Sequence, residues 1–357
     1  ARTDGAIPDL VALPSSADEV SRILLLANKH MFPVIPRGQG SGLTGGSVPI
    51  KGGVVLTFTR MNKILAIDTN NLIAVVEPGV ITYVFQEEVA KYGLFYPPDP
   101  ASQKYASLGG NVAECAGGPN SLKYGVTRDY VLGLEVVKPT GEIITTGVRT
   151  MKGVVGYDLT RLFVGSEGTL GVITKITLKL IPAPETKATI LALFNKVEDT
   201  AEAVSGIVAA KIVPSTIEFM DHASIRCSEQ ANPMGIPENI EGLLLIEIDG
   251  SKDSIQALAE KIREVLVRFR AAEVKLTHDP VEADKLWQAR RVVSQATYNL
   301  NPVKIAEDVV VPRSNIPKLI RFLEETGKRF DLPILSFGHA GDGNFHVSLM
   351  IKDTPED

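Results

Sequence analysis

Five glycines fall within nine residues between Gly38 and Gly46, in the run Pro36-Arg37-Gly38-Gln39-Gly40-Ser41-Gly42-Leu43-Thr44-Gly45-Gly46-Ser47, where Leu43 is the only bulky apolar side chain. A chain that gives up this much backbone order has its N–H groups lying against something flat or anionic. A diphosphate is the first candidate. The run also limits the fold. Gly40-Ser-Gly42-Leu-Thr-Gly45 matches G-x-G-x-x-G, and Asp68 follows at about the distance of a ribose-binding acid, but that fingerprint has meaning only where the loop opens a helix. Here Ser47-Val-Pro49-Ile-Lys-Gly52-Gly53 cannot propagate one, and Val54-Val-Leu-Thr-Phe58 reads as a strand. Residues 32–58 are therefore expected as strand, glycine loop, strand. A Rossmann domain is excluded, and a nicotinamide enzyme becomes the weakest reading.

With 357 residues and 44% apolar content the chain can bury a large core and split into two domains. A net charge of −5 argues against a nucleic-acid partner, which shows a basic surplus or stripe. No apolar run approaches membrane-spanning length and no secretory signal is visible. Two cysteines, Cys115 and Cys227, make no disulfide framework, so a reducing, cytoplasmic setting fits. The start at Ala1 and the stop at Asp357, just past a strand-like run, read as clipped ends.

The first half reads as mixed α and β with many loops. Ser16-x-x-Glu19 is a capping box ahead of helically spaced Val20, Ile23, Leu24 and Ala27. Residues 82–92 form a short helix stopped by Gly93; 131–138 and 143–146 form a hairpin; Ile176, Leu178 and Leu180 mark a half-buried strand. Pro182-Ala-Pro184 breaks the pattern and places a boundary between domains 1–182 and 183–357. In the second half, strand–helix–strand recurs at 189–220 and 243–276. That repetition predicts a ferredoxin-like split βαβ layer, with further helices at 281–295 and 316–330.

Three more glycine-bearing clusters lie at 97–111, 115–125 and 165–173. Ordinary turns account for any one of them alone. Together with the first loop they suggest an extended ligand, longer than one phosphate. Their order and spacing resemble the flavin-linked oxidases of the vanillyl-alcohol-oxidase (PCMH) type, nearest to the branch of glycolate oxidase catalytic subunits and D-lactate dehydrogenases. The residues carrying the resemblance are the Pro36–Ser47 run, Pro97-Pro-Asp-Pro-Ala-Ser102, Gly109-Gly110-Asn111, Ala116-Gly117-Gly118, Lys123-Tyr124-Gly125-Val-Thr-Arg-Asp129 and Gly165-Ser-Glu-Gly-Thr-Leu-Gly171. It implies an α+β fold: a two-subdomain PCMH-type FAD-binding domain followed by a ferredoxin-like cap domain.

By that resemblance Pro36, Arg37, Gly38, Gln39, Gly40, Ser41, Gly42, Gly45, Gly46 and Ser47 wrap the FAD pyrophosphate. Asp99, Ser107, Gly109 and Gly110 line the second phosphate and ribose. Gly117, Gly118, Tyr124 and Gly125 lie toward the isoalloxazine, and Glu167, Gly168 and Ile173 hold the adenine end or flavin backbone. Cys115 stands where the branch often carries Asn; a small buried thiol outweighs a covalent cysteinyl-flavin there.

A second site is His339-Ala-Gly-Asp-Gly-Asn-Phe-His346. Strands flanking its turn can bring both imidazoles to one face, where they would ligate Zn²⁺ or a similar divalent cation. From spacing alone, two surface histidines on a turn read equally well. The resemblance favours the metal, since metal-binding members carry His-x-Gly-Asp-Gly-Asn-x-His. The family pattern continues with a Glu ligand and a Glu-His-Gly segment holding the base, beyond Asp357. Beside the single tryptophan, Leu286-Trp287-Gln-Ala-Arg290-Arg291 offers Arg290 as a bidentate clamp for a substrate carboxylate. Lys304, placed just before a strand at 307–312, is a weaker catalytic candidate, and Ser294 follows Arg290 by one turn.

The resulting expectation is FAD-dependent oxidation of a D-2-hydroxy acid such as D-lactate or glycolate, with electrons passing to an acceptor protein or quinone. The resemblance leaves a homodimer and a peripheral position on the inner membrane face open. The rival readings are a non-catalytic flavoprotein subunit of an electron-transfer complex and a metal-dependent hydrolase.

Overall fold

No helix follows the glycine run. In the computed structural model, which describes residues 6–150 and 152–352, strand β1 (Leu10–Ala12), helix α1 (Ala17–His30) and β2 (Val34–Arg37) lead through loop 38–53 straight into β3 (Val54–Thr57). The reading of both ends as clipped concerns residues outside those described. β2 pairs with β3 in parallel, Val34 opposite Val54, and β1 pairs in parallel with the other edge of β3. Parallel neighbours need a crossover of about a dozen residues or more, usually a helix. Here the glycine loop is the crossover. Gly53, at φ +87°, closes it against Pro33, where an added Cβ would lie 2.4 Å from the Pro33 carbonyl oxygen.

α1 buries Val20, Leu24 and Ala27, with Ile23 half-buried, as its spacing predicts. Only half of the capping box forms: Ser16 Oγ accepts from the Glu19 N–H at 3.2 Å, but the Glu19 carboxylate accepts from the Ser15 N–H at 2.7 Å instead of reaching Ser16. Next come β4 (Ile64–Asp68), β5 (Ile73–Val76), α2 (Thr82–Ala90), β6 (Leu94–Phe95), α3 (Leu108–Glu114), α4 (Ser121–Tyr124), β7 (Val131–Val137), β8 (Ile143–Gly147), α5 (Leu159–Phe163), β9 (Val172–Lys179) and β10 (Ile181–Pro182). An antiparallel sheet runs β4-β5-β9-β7-β8. β7 and β8 form the expected hairpin, and β9 buries Ile176 and Leu178 at alternate positions. The chain divides into two compact units: residues up to Gly118 with Gly125–Ala183, and Pro119–Tyr124 with the chain from Pro184 onward.

The second unit holds β11 (Thr186–Phe194), α6 (Val197–Ala209), β12 (Thr216–Asp221), α7 (His222–Ala231), β13 (Gly242–Gly250), α8 (Lys252–Arg268), β14 (Glu273–Thr277), α9 (Pro280–Ala296), β15 (Val303–Val310), α10 (Ile316–Phe330), β16 (Ile334–His339) and β17 (Asn344–Ile351). Its sheet has the order β14-β11-β13-β12-β16-β17-β15. The first four strands are the two interleaved βαβ units in antiparallel pairing, the ferredoxin-like layer that the repetition predicted. Over Leu243–Ile246, β13 is apolar on both faces because both are covered: Leu244 and Ile246, with Ile248 beyond, pack with α6 and α8, while Leu243 and Leu245 pack with Ile225 of α7 and Val293 of α9.

α7 escaped the periodicity because its buried face uses Ser224 and Ser228 beside Ile225 and Cys227. Its signal is instead a cap, Asp221 Oδ1 accepting from the Ser224 N–H at 2.8 Å. The strand expected at 307–312 begins at Val303, so Lys304 lies inside it, opposite Met350. As the sheet edge, β15 is mostly exposed, and its alternation is correspondingly faint. No helix among the described residues is long and apolar enough to cross a membrane.

Candidate active site and cofactor cavity

In the first unit the loop after β2 faces the start of α3 and the turn after α5 across one cavity. Its lining includes fifteen of the expected cofactor residues: Pro36, Arg37, Gly38, Gln39, Gly40, Ser41, Gly42, Gly46, Ser47, Ser107, Gly109, Gly110, Glu167, Gly168 and Ile173. Among the described residues, the backbone N–H groups of Gly38, Gln39, Gly40, Ser41 and Gly42 donate no hydrogen bond. The missing side chains are sterically required. A Cβ on Gly38 would lie 2.6 Å from Ser107 Oγ, and one on Gly109 would lie 2.5 Å from Pro78 Cβ. Ser107 Oγ also caps α3, accepting from the Gly110 N–H at 3.4 Å.

The cavity lining does not include Gly45, Asp99, Cys115, Gly117, Gly118, Tyr124 or Gly125. Cys115 is half-buried and ends α3 at φ +52°. Gly118 packs on Asp99, and Gly125 takes φ +80° above Asp129, so both serve close turns. Tyr124 belongs to the second unit, where its hydroxyl donates to Asp249 Oδ2 at 2.7 Å and Lys123 pairs with the same carboxylate. Glu114 lines the cavity and was not foreseen.

The second unit gathers the other expected residues on one face of its sheet. The β16–β17 hairpin sets His346 opposite Phe337 and His339 opposite Asn344. That register brings the two imidazoles edge to face, with centroids 5.3 Å apart. Each ring is anchored through Nδ1, His339 on Glu218 Oε1 at 2.5 Å and His346 on Asp308 Oδ1. A carboxylate accepts only, so Nδ1 carries the proton and Nε2 is left as the outward atom of each ring. Arg290, on α9, donates through Nε to Glu218 Oε2 at 2.6 Å, and its guanidinium lies 4.9 Å from the Phe337 ring centre. Its terminal nitrogens make no hydrogen bond among the described residues. Lys304 Nζ donates to Ser294 O and Oγ, both at 3.0 Å, and lies 5.9 Å from the same Phe337 ring.

Sequence reasoning missed Glu218, which is 1% exposed. A charge between the buried apolar residues Ile217 and Phe219 was the available signal. It also missed Asp308 and Asn344, whose Oδ1 is buried without a partner opposite His339. Among the described residues no group of three or more His, Cys, Asp or Glu side chains is arranged to hold a metal ion.

Burial works against the Glu218 carboxylate, but Arg290 and then His339 outweigh it and hold its pKa down to about 2. Burial also opposes the His339 imidazolium, and Glu218 overrides it, raising the pKa above the usual histidine value. Desolvation pushes Lys304 down, whereas the hydrogen bond from His346 pushes Asp308 down. The signs define a window. Glu218 contributes its full stabilisation above its unfolded value of 4.5 and loses it as pH falls through about 2. His339 contributes fully below 6.5 and loses its share as pH climbs through its raised value. Thermal unfolding followed against pH should show this cluster stabilising the protein most between about 4.5 and 6.5. His339→Gln should flatten the alkaline fall, and an identical fall in both proteins would remove His339 from the cluster's energetics.

A cavity walled by bare amides in one unit, and an arginine–imidazole cluster on the sheet of the other, fit an oxidoreductase built around a diphosphate-bearing cofactor. Residues 8–147 match the FAD binding domain family, and residues 183–357 match the C-terminal domain of FAD linked oxidases. The chain belongs to the FAD-linked oxidases of the PCMH/vanillyl-alcohol-oxidase type and is a FAD-linked oxidoreductase. It is 48% identical over 341 residues to the glycolate oxidase subunit GlcD of Bacillus subtilis (strain 168), covering 96% of this chain and 73% of that protein. To the D-lactate dehydrogenase of Anaerostipes hadrus it is 36% identical over 359 residues, covering 98% and 75%. The fold is shared with alkyldihydroxyacetonephosphate synthase (TM-score 0.80, 23% identity, 96% of this chain and 71% of that one). It is shared also with p-cresol methylhydroxylase with substrate bound (TM-score 0.77, 16% identity, 96% and 75%).

Proposed function

We propose that the protein oxidises a small D-2-hydroxy acid, of the glycolate or D-lactate kind, to the 2-oxo acid and passes the electrons to a protein or quinone acceptor. The observation that carries this reading is Arg290: a nearly buried guanidinium, oriented through Nε by Glu218, with its terminal nitrogens unengaged beside two carboxylate-anchored imidazoles. A planar fork with two parallel donors matches a substrate carboxylate. Lys304, tethered to Ser294 and desolvated, adds positive charge on the same face. Glu218 and Asp308 hold the Nδ1 protons, which aims both Nε2 atoms at the substrate hydroxyl.

FAD supplies the hydride acceptor when bound. The unpartnered amides of Gly38–Gly42 and the side-chain-free wall at Gly38 and Gly109 fit its diphosphate, and the cavity-lining residues named above would hold it. The Nε2 atoms of His339 and His346, with the orphaned Asn344 Oδ1 nearby, fit part of the ligand set of a divalent cation such as Zn²⁺. Such a cation lowers the pKa of a bound hydroxyl.

The test is the visible flavin spectrum under anaerobic conditions. D-Lactate, glycolate or D-2-hydroxyglutarate should bleach the absorption band within the mixing time of a turnover experiment. A protein that carries flavin yet stays yellow with all three would favour the electron-relay subunit and overturn the catalytic reading.

A further inference from the structure

Two carboxylates stand where an anion is to be bound. The charged residues lining the cavity are Arg37, Glu114 and Glu167. Glu114, at the end of α3, points at the glycine loop: a Cβ on Gly42 would lie 3.3 Å from its Oε1. Glu167, in the turn after α5, does the same from beside Glu114, its N–H donating to the Ala113 carbonyl at 2.9 Å and its Oε2 lying 3.5 Å from a Cβ on Gly46. Among the described residues neither carboxylate accepts a hydrogen bond or forms an ion pair. Arg37 does not neutralise them. Its Nη1 donates to the Ser47 carbonyl at 3.5 Å, and its guanidinium folds under Gly40. Of the groups packed near this wall, Arg128 donates to the Val164 carbonyl at 3.3 Å, and Cys115 is half-buried beside Gly165.

A doubly ionised diphosphate entering this space would meet the five free amides, which attract it, and two carboxylates, which repel it. Filling the cavity also removes the water that solvates those carboxylates now. Both effects favour the neutral acid over the anion. We infer that Glu114 takes up a proton from solvent when FAD binds and thereafter acts as a hydrogen-bond donor toward the cofactor, so that flavin affinity weakens as pH rises. Burial, and then the charge of Glu167, already raise the Glu114 pKa before any ligand arrives. Glu114 is a positioning residue for the cofactor. This inference rests on the reading that the glycine-walled cavity holds the FAD diphosphate.

The experiment is calorimetric titration of FAD into the flavin-stripped full chain between pH 5.5 and 8.5, in buffers of differing ionisation enthalpy. Wild type should show net proton uptake and a Kd that rises by about tenfold per pH unit over part of this range, the slope for one linked proton. Glu114→Gln, which carries a neutral donor at every pH, should bind with little slope, matching wild type at pH 5.5 and exceeding it at least tenfold at pH 8.5. Glu167→Gln should keep the uptake and move its midpoint to lower pH. Binding without proton uptake in wild type, or an undiminished slope in Glu114→Gln, overturns the inference. Gly42→Val, measured in parallel, isolates the underlying reading. If it binds FAD as wild type does, the cofactor lies elsewhere and the cavity reading itself fails.

Discussion

A Gly38→Val protein should purify colourless and bind added FAD at least about a hundredfold more weakly than wild type. The added Cβ would sit 2.6 Å from Ser107 Oγ and 3.3 Å from Gly110 Cα, driving loop and α3 apart where both line the cavity. Two charge-assisted amide–phosphate hydrogen bonds lost at about 1.5–3 kcal/mol each amount to roughly two to four powers of ten in Kd. Flavin fluorescence during titration measures the loss, and circular dichroism checks that the protein remains folded. A yellow Gly38→Val protein with unchanged Kd would detach the glycine loop from the diphosphate.

Arg290→Met should act twice, and the two effects can be separated. Its removal strands the buried Glu218 carboxylate, a loss of about 3–5 kcal/mol of stability. It also removes the fork for the substrate carboxylate, which at about 1.5–3 kcal/mol per charge-assisted bond lowers kcat/KM by roughly a hundredfold to ten-thousandfold. Pairing it with Glu218→Met should recover most of the stability, because a buried ion pair replaced by apolar side chains of similar volume is close to neutral. Turnover should not return. Arg290→Lys keeps the charge without the planar fork and should fall between. Equal kcat/KM for wild type and Arg290→Met on 2-hydroxy acids would place the carboxylate site elsewhere.

The glycine loop illustrates what local sequence can reveal. Its failure to open a helix follows from Pro49, Gly52 and Gly53 alone, and the strand–loop–strand path stands in the structure with the loop as a parallel crossover. The βαβ repetition likewise predicted the ferredoxin-like order, because helices with a clear apolar stripe, such as α8, announce themselves. α7 did not, since serines make up half of its buried face. Lys304 was set outside its strand because an exposed edge carries little alternation.

Which carboxylate meets which base was beyond local reading. Glu218 lies 72 residues from Arg290 and 121 from His339, and only the pairing of β12 with β16, and of β15 with β17, sets acid against imidazole. Local chemistry, acting within a few residues, determined the bare-amide loop, the alternating helices and strands, and the paired histidines of one hairpin. Strand register across the sheet decided that a lone inward glutamate would orient both an arginine and an imidazole. That outcome is tertiary because the energy of burying a charge depends on partners the chain brings from far away.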